Sequence, residues 1–320
     1  MKRTWVCMGV LLWVTMAADA GDDKAAAVLK ELKASVTRDP KLPGMPVTEV
    51  YMPNLKKEDV AAAMDAVRQF KALRKLSLGN SNIGDTAAKG IGALKELRYL
   101  HLYGNNLTDA WAPELKALEN LEDLDLGFNS FTDAALDHIT GLKKLKTLYL
   151  TNSRFSVKGM ERVATLTQLQ TLDLSISNVR GDDIKSLAPL TELRSLRLYG
   201  QNPTDAGMKA LAGLTKLEHL DVGAVKPVLG DEGLKVVAGM PNMYRLYLWS
   251  NPITDEGLRS LRGLSKLAYL DIRKTKVTAA GLKELEGLKN LYELWLDKEL
   301  AESEQAKALQ KALPKLRIVM

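Results

Sequence analysis

The sequence predicts an α/β solenoid: a curved stack of strand-plus-helix units, with a parallel β-sheet on the concave side and α-helices on the convex side. The first observation is a period. An L-x-x-L-x-L frame can be laid down with first positions at Leu73, Leu97, Leu121, Leu145, Leu169, Leu193, Leu217, Met243, Leu267 and Leu291. Eight of the nine steps are 24 residues, and the step from Leu217 to Met243 is 26. A fixed period in this range marks a solenoid in which each unit buries its apolar face against its neighbours. The second observation is period-two alternation inside the frame. Leu100 and Leu102 point one way while Tyr99, His101 and Tyr103 point the other, which is strand spacing. The third is helical spacing in the second half of each unit, where Leu258, Leu261 and Leu264 fall at i, i+3 and i+6. Helices are wider than strands, so a stack of such units curves with its strands inside.

The repeat overrides the prior of about two domains for 320 residues. A hydrophobic content of 46% and a charged content of 26% suit a water-soluble fold. The net charge of +6 is modest for this length. Lys and Arg lie mostly in the second half of each repeat (Lys89, Lys116, Lys143, Lys144, Lys158, Lys235) and form no compact run, which argues against nucleic acid as a partner.

Residues 1–20 read as a secretory signal. Lys2 and Arg3 supply the positive start, Val6 to Met16 a short apolar stretch, and Ala18-Asp19-Ala20 a small-x-small cleavage pattern. The apolar stretch is too short for a typical membrane span, so no span is expected after cleavage. The one cysteine, Cys7, lies in this segment and lacks the small residues that precede a lipidated cysteine. The mature chain then has no disulfide, thiolate metal site or cysteine nucleophile. A secreted repeat protein without disulfide-stapled ends favours a bacterial secreted or periplasmic origin.

Residues 21–72 are expected to form an N-terminal helix and a capping repeat. The stretch 21–35 is rich in Ala, Leu, Lys and Glu, with Asp22 and Asp23 placed well for a helix start. Three prolines and a glycine in 38–46 read as a turn or linker. Val47-x-x-Val50-x-Met52 is a degenerate frame, which predicts the first strand, with Lys57 to Phe70 as its helix. Ten repeats follow over 73–301. Each starts its helix with Thr or Ser as N-cap (Thr108, Thr132, Ser156, Thr204, Thr254, Thr278). Asp109, Asp133, Asp205 and Asp255 stand in the first turn, where they favour the positive helix end. Thr108 also completes a glycosylation sequon with Asn106, but its N-cap position explains it better. A helix of about ten residues closes each unit. The two extra residues near Lys226-Pro227-Val228 should bulge between the seventh strand and its helix. A cap is expected over 302–320, with a last helix from Glu302 to Leu313 and a strand at Leu316 to Val319.

Over residues 47–320 this pattern resembles the leucine-rich repeats; LTELRSLRLYGQNPTDAGMKALAGL (190–214) is a specific match. The T-D-x-G-L ending is similar to the helix-bearing subclasses of ribonuclease inhibitor, F-box-associated repeat proteins and bacterial secreted repeat proteins. The resemblance implies a horseshoe whose concave parallel sheet binds another protein. The repeat asparagine stands at Asn105, Asn129 and Asn251. It is replaced by Ser81, Ser153, Ser177, Gln201, Val225, Thr275 and Glu299, so those units are expected to lose part of the hydrogen-bonded ladder that the family forms there.

The frame also names the concave face. Its middle row reads Tyr51, Ser77, His101, Asp125, Tyr149, Asp173, Arg197, Asp221, Tyr247, Asp271 and Trp295. Strands about 4.8 Å apart make this row roughly 50 Å long before curvature. Flanking rows add Tyr99, Tyr103, Asp123, Tyr199, His219, Arg245, Trp249, Tyr269, Arg273, Glu293 and Asp297. Tyr, Trp and Arg dominate binding hot spots, and here they cluster from Arg245 to Trp295 in a chain with only 6% aromatics. Tyr99, His101, Tyr103, Asp125, Tyr149, Asp173, Arg197, Tyr199, Asp221, Arg245, Tyr247, Trp249, Tyr269, Asp271, Arg273 and Trp295 are therefore the candidate partner-binding residues. The bland reading is a self-paired solvated face: aromatics suit exposed strand positions, Asp173, Arg197 and Asp221 can neutralise one another, and so can Arg273 and Asp297.

Other chemistries are disfavoured. Asp125, Asp173, Asp221 and Asp271 are spaced too widely to share one cation, and His101, Asp123 and Asp125 suit a hydrogen-bonded pair better than an ion site. His101 and His219 lie five strands apart, no serine stands in a nucleophile elbow, and no glycine run follows a strand. No cofactor or metal is expected. The expected function is a non-enzymatic secreted scaffold holding a protein partner. Carbohydrate or cell-wall binding is the alternative, since aromatic faces beside aspartates suit sugars; a purely structural envelope protein is another. A ubiquitin-ligase adaptor ranks lower, because no adaptor domain accompanies the repeats.

Overall fold

The computed structural model describes residues 20–178, 181–226 and 228–320. Residues 1–19 of the expected leader lie outside the described residues, and the first helix, Ala20–Glu31, begins at the last residue of that expected segment.

One sheet of 13 strands runs the length of the chain in sequence order. Its strands are β1 (Ser35–Arg38), β2 (Val47–Tyr51), β3 (Lys75–Ser77), β4 (Tyr99–His101), β5 (Asp123–Asp125), β6 (Thr147–Tyr149), β7 (Thr171–Asp173), β8 (Ser195–Arg197), β9 (His219–Asp221), β10 (Arg245–Tyr247), β11 (Tyr269–Asp271), β12 (Glu293–Trp295) and β13 (Arg317–Val319). From β2 onward all pairs are parallel and in one register: Leu76, Leu100, Leu124, Leu148, Leu172, Leu196, Leu220, Leu246, Leu270 and Leu294 lie side by side. All ten are buried, as are the first and last positions of each L-x-x-L-x-L frame. The repeat leucines thus form one continuous core between sheet and helices.

The sheet opens with a strand the sequence reading missed. β1 pairs antiparallel with β2, Val36 opposite Val50. Four residues outside the repeat frame carry too little alternation to be recognised, and the prolines that follow suggested only a linker. The first helix packs over this end: Ala25, Ala26 and Leu29 are buried, and the buried Asp22 accepts from Val47 N at 2.8 Å.

The convex side differs from the expected ten-residue helices. The α-helices of the repeats are short, as in Val157–Val163, Asp205–Ala210 and Asp255–Ser260. The last of these continues as a 3₁₀ turn over Leu261–Gly263. Ala112–Ala117, Gly181–Leu187 and Ala279–Leu285 are 3₁₀ throughout. A 3₁₀ helix rises about 2.0 Å per residue against about 1.5 Å for an α-helix, so it returns the chain along the repeat with fewer residues.

The T-D-x-G signature acquires a role between repeats. Asp85 accepts from Thr108 N at 2.8 Å and Oγ1 at 2.5 Å. Asp109 does the same for Thr132, Asp231 for Thr254, and Asp255 for Thr278, where both bonds are 2.7–2.8 Å. Asp133 holds Ser156 likewise. Each of these hydroxyl residues is therefore bound by the preceding repeat while most of them cap their own helix: Thr132, Ser156, Thr204 and Thr254 accept from first-turn N–H groups, Thr278 does not, and Thr108, expected as an N-cap, stands in the turn before a 3₁₀ helix whose N-cap is Trp111. The glycine makes room for this carboxylate. A Cβ at Gly159, Gly257 or Gly281 would collide with the aspartate of the previous unit. These aspartates thus bind the next repeat as well as standing at the helix start, the role read from sequence.

A second ladder runs beneath the sheet. Asn129 Oδ1 accepts from Asn105 N and Leu107 N, both at 3.0 Å, and its amide donates to Leu102 O at 2.8 Å. Asn105 repeats the pattern with Ser81 N, Ile83 N and Leu78 O. As expected, replacements keep only part of it. Ser177 Oγ reaches Leu150 O and Gln201 Nε2 reaches Leu174 O, while Ser153 Oγ and Gln201 Oε1 are buried without a hydrogen-bond partner among the described residues; the retained Asn251 keeps its bond to Val222 O, but its Oδ1 has no partner there. The two-residue insertion follows β9. There Val225 N and Lys226 N turn to Asn202 Oδ1, at 3.0 and 2.7 Å, and Val225 and Val228 are exposed. Pro227 lies outside the described residues.

The aspartate ladder makes a non-additive prediction. Gly281→Ala should cost about 2 kcal/mol in urea unfolding, because the three atoms nearest its methyl group all belong to Asp255. In an Asp255→Ala background the same change should cost under about 0.5 kcal/mol, since the colliding carboxylate is gone. Additive costs would show that the glycine serves some other need.

Candidate functional site

A short strand of the repeat turns two outward residues to the concave face, and the turn that follows adds a third. The parallel register converts those positions into rows. Tyr51, Ser77, His101, Asp125, Tyr149, Asp173, Arg197, Asp221, Tyr247, Asp271 and Trp295 stand opposite one another along the middle row. Lys75, Tyr99, Asp123, Thr147, Thr171, Ser195, His219, Arg245, Tyr269 and Glu293 form the row beside it.

The four aspartates of the middle row behave alike. Asp125 Oδ1 accepts from Gly127 N at 2.9 Å, Asp173 from Ser175 N at 2.9 Å, Asp221 from Gly223 N at 3.0 Å and Asp271 from Arg273 N at 3.1 Å. Each ties down the backbone where its strand leaves the sheet, a side-chain-to-backbone turn that short acidic residues favour. Asp173 and Asp271 are only 7% and 3% exposed, so these two present little to a partner. The D-x-G and D-x-S spacing was visible in sequence, but reading the aspartates as face residues obscured it. Arg197 pairs with Asp173 at 3.5 Å, within the expected neutralising set. Arg273 pairs with Asp271 at 2.5 Å rather than with Asp297, which instead accepts from Lys274 N at 2.7 Å. The correction has a simple cause: Asp271 is fixed by its own turn two residues away, within direct reach of the guanidinium.

The N-terminal end of the face carries His101, whose Nε2 lies 2.9 Å from Asp123 Oδ1. This contact raises the imidazole pKa. The two side chains form a hydrogen-bonded pair, and no group of three or more His, Cys, Asp or Glu side chains suited to a metal occurs among the described residues. Tyr99 receives Lys75 Nζ at 5.2 Å from its ring centroid, and Lys75 pairs with Glu49 at 2.9 Å. Tyr103 packs on Phe128 at 4.9 Å. Phe128 is 39% exposed with φ of 54°, an unusual backbone for a bulky residue and one the sequence reading did not single out.

The C-terminal half is different in kind. Tyr199 and Trp249, two strands apart, meet at 5.1 Å across β9, where Gly223 leaves the room that the indole fills. Tyr247 and Trp295 meet at 6.0 Å across β11, above the covered Asp271. Tyr269 stacks on Trp295 at 6.2 Å and also touches Tyr244 and Tyr292, at 5.3 and 6.0 Å. Arg245 lays its guanidinium 4.4 Å from the Tyr269 centroid and 5.7 Å from that of Tyr244. His219 lies 5.9 Å from Tyr244, and its pKa is lowered by burial and by Arg245. The aromatic residues read from sequence in this half thus form two groups, Tyr199 with Trp249 and Tyr247 with Tyr269 and Trp295, and Tyr244 and Tyr292 extend the second. Those two were missed because they precede their strands; the signal was an aromatic at the second repeat position in units eight and ten, where other units carry Arg, Glu, Lys, Gln or Ala. Tyr99, His101 and Tyr103 stand apart from these groups, four strands or about 19 Å along the sheet from Tyr199 and six strands or about 29 Å from Tyr247. His101 and His219 share no site, for the same reason.

The class of protein follows from this architecture: a strand–helix solenoid presenting a continuous side-chain face. The family model for a leucine-rich repeat region matches residues 57–319, and the chain belongs to the leucine-rich repeat proteins. Proteins of this family are in general non-enzymatic scaffolds that bind other proteins. Solved structures that share the fold include two internalins. Internalin C2 of Listeria monocytogenes is 22% identical, with a TM-score of 0.52 over 85% of this chain and 92% of that one. A second Listeria monocytogenes internalin, inlF, is 21% identical, with a TM-score of 0.52 over 95% and 92%. No curated protein matches the chain. No helix among the described residues is long and apolar enough to cross a membrane.

Asp221 offers a measurable consequence. Burial, helped by nearby Asp173, raises its carboxyl from 3.8 to about 6. An acid raised on folding binds more protons folded than unfolded between those two values, so its ionisation weakens the fold as pH rises through that window. Asp221→Asn keeps an acceptor for Gly223 N and removes the charge. It should raise the melting temperature at pH 8 and lose that advantage by pH 4. An equal gain at both pH values would contradict this assignment.

Proposed function

We propose that the chain is a secreted or periplasmic binding scaffold that holds a protein partner on its concave face, chiefly through the aromatic C-terminal half. One observation carries the reading. Tyr247, Tyr269 and Trp295 gather with Arg245, and Tyr199 pairs with Trp249 on nearby strands, on a face whose charges are otherwise largely self-paired. Rigid aromatics and arginine give large contact area at small entropic cost, which is why they anchor protein interfaces. The family's general use as a protein-interaction scaffold supports the same reading. Export is supported by the leader-like segment 1–20, followed by a chain without cysteine.

Sugar binding fits less well. A sugar face needs carboxylates free beside its rings, and the four middle-row aspartates are engaged with their own backbone, two of them covered. Catalysis lacks converging acid, base and nucleophile groups at the patch.

The test is a triple substitution of Tyr247, Trp249 and Trp295 by alanine, with capture of partners from the organism's extracellular fraction. Loss of hot-spot side chains should weaken capture by about a hundredfold or more. Full capture by a triple variant that melts like the wild type would remove the proposal. Glycan-array binding that survives removal of protein partners would favour the sugar reading.

A further inference from the structure

The concave face balances its cations one by one, except at a single place. Lys75 pairs with Glu49 at 2.9 Å, Arg197 with Asp173 at 3.5 Å, Arg273 with Asp271 at 2.5 Å and Arg317 with Glu293 at 3.0 Å. Arg245 has no carboxylate partner among the described residues. Its side chain donates no hydrogen bond there, and its Nε is buried with none. The guanidinium instead lies against the rings of Tyr269 and Tyr244. Aromatic faces hold a cation but leave its N–H donors unused. A partly desolvated guanidinium with open donors is costly unless an anion completes it.

The geometry points to Arg245 as the anchor for a single carboxylate carried by an extended acidic segment of the protein partner; this inference rests on the concave-face reading above. The charge around the site favours one carboxylate over a polyanion. Glu218, which pairs with Arg194 at 2.5 Å, and Glu293, which pairs with Arg317, lie on either side of Arg245 along the sheet. With both glutamates already neutralised, the site keeps one unbalanced positive charge, which one carboxylate matches and a nucleic acid or sulfated glycan would exceed. Tyr244, Tyr269 and Trp295 form the floor beside the guanidinium, so apolar side chains next to the acid have rings to lie on. The planar fork of arginine matches a carboxylate with two parallel hydrogen bonds.

A library of short random peptides, panned on the purified protein and on Arg245→Gln, tests this. The Arg245 side chain makes no hydrogen bond or ion pair among the described residues, so the variant should melt like the wild type. The wild type should enrich peptides with one Asp or Glu flanked by apolar residues. For an enriched peptide, Arg245→Gln and replacement of the peptide's acid by its amide should each weaken binding about tenfold or more, and the two together little further. Arg245→Lys should recover only part of the loss. Acid-free peptides, enriched equally on both proteins, would overturn the anchor and leave the concave-face reading standing. Binding indifferent to both Arg245 and the triple aromatic substitution would overturn both. A heparin fragment or an oligodeoxythymidylate that displaces the peptide through Arg245 with higher affinity would assign the arginine to a polyanion and overturn the acidic-peptide inference.

Discussion

Everything on the concave face depends on one constraint: parallel strands held in a single register by buried leucines. Leu76, Leu100 and their successors to Leu294 lie side by side with no slip over ten units. A shift of one residue would turn each leucine to solvent and each face residue into the core, so the register is enforced by the whole apolar stack. The hydrogen-bonded ladders act within that constraint. The aspartate of one repeat grips the helix start of the next, and the asparagine row satisfies backbone groups that the turns leave open. Side-chain chemistry on the face is thus placed by interactions on the other side of the sheet.

The rows were legible in the sequence because they need only a period and an alternation. His101, Tyr149, Arg197, Tyr247 and Trp295 could be aligned by counting. Residues outside the frame could not. β1 has four residues and no repeat to support it, so its antiparallel pairing appears only in space. The aspartate ladder joins side chains about one repeat apart, and a helix-start Asp already had a sufficient local explanation. Tyr244 and Tyr292 precede the alternating core of their strands, where no rule of alternation assigns a direction. The partner of Arg273 was misread because two carboxylates lay in reach and only the turn at Asp271 decides between them.

The face is uneven. Its middle is polar and engaged with its own backbone, and its N-terminal end places a few aromatics beside paired charges. The C-terminal half concentrates rings around an arginine. Small or covered residues on alternate strands allow this: Gly223 admits the indole of Trp249, and Asp271 lies low enough for Tyr247 and Trp295 to close over it. Rings from strands two apart can meet only where the strand between them gives way.

The insertion after β9 shows how such a molecule can change. The sheet pairing passes from β9 to β10 undisturbed, with Leu220 still opposite Leu246, while the added length is taken up where the chain leaves the strand. Val225 and Val228 emerge there, and Val225 reaches over Gly200, one residue from Tyr199. Growth of the chain at this margin therefore raises a wall beside the aromatic patch without renumbering any contact upon it. Lineages of such proteins can deepen or reshape a groove by lengthening its banks while its floor is inherited intact.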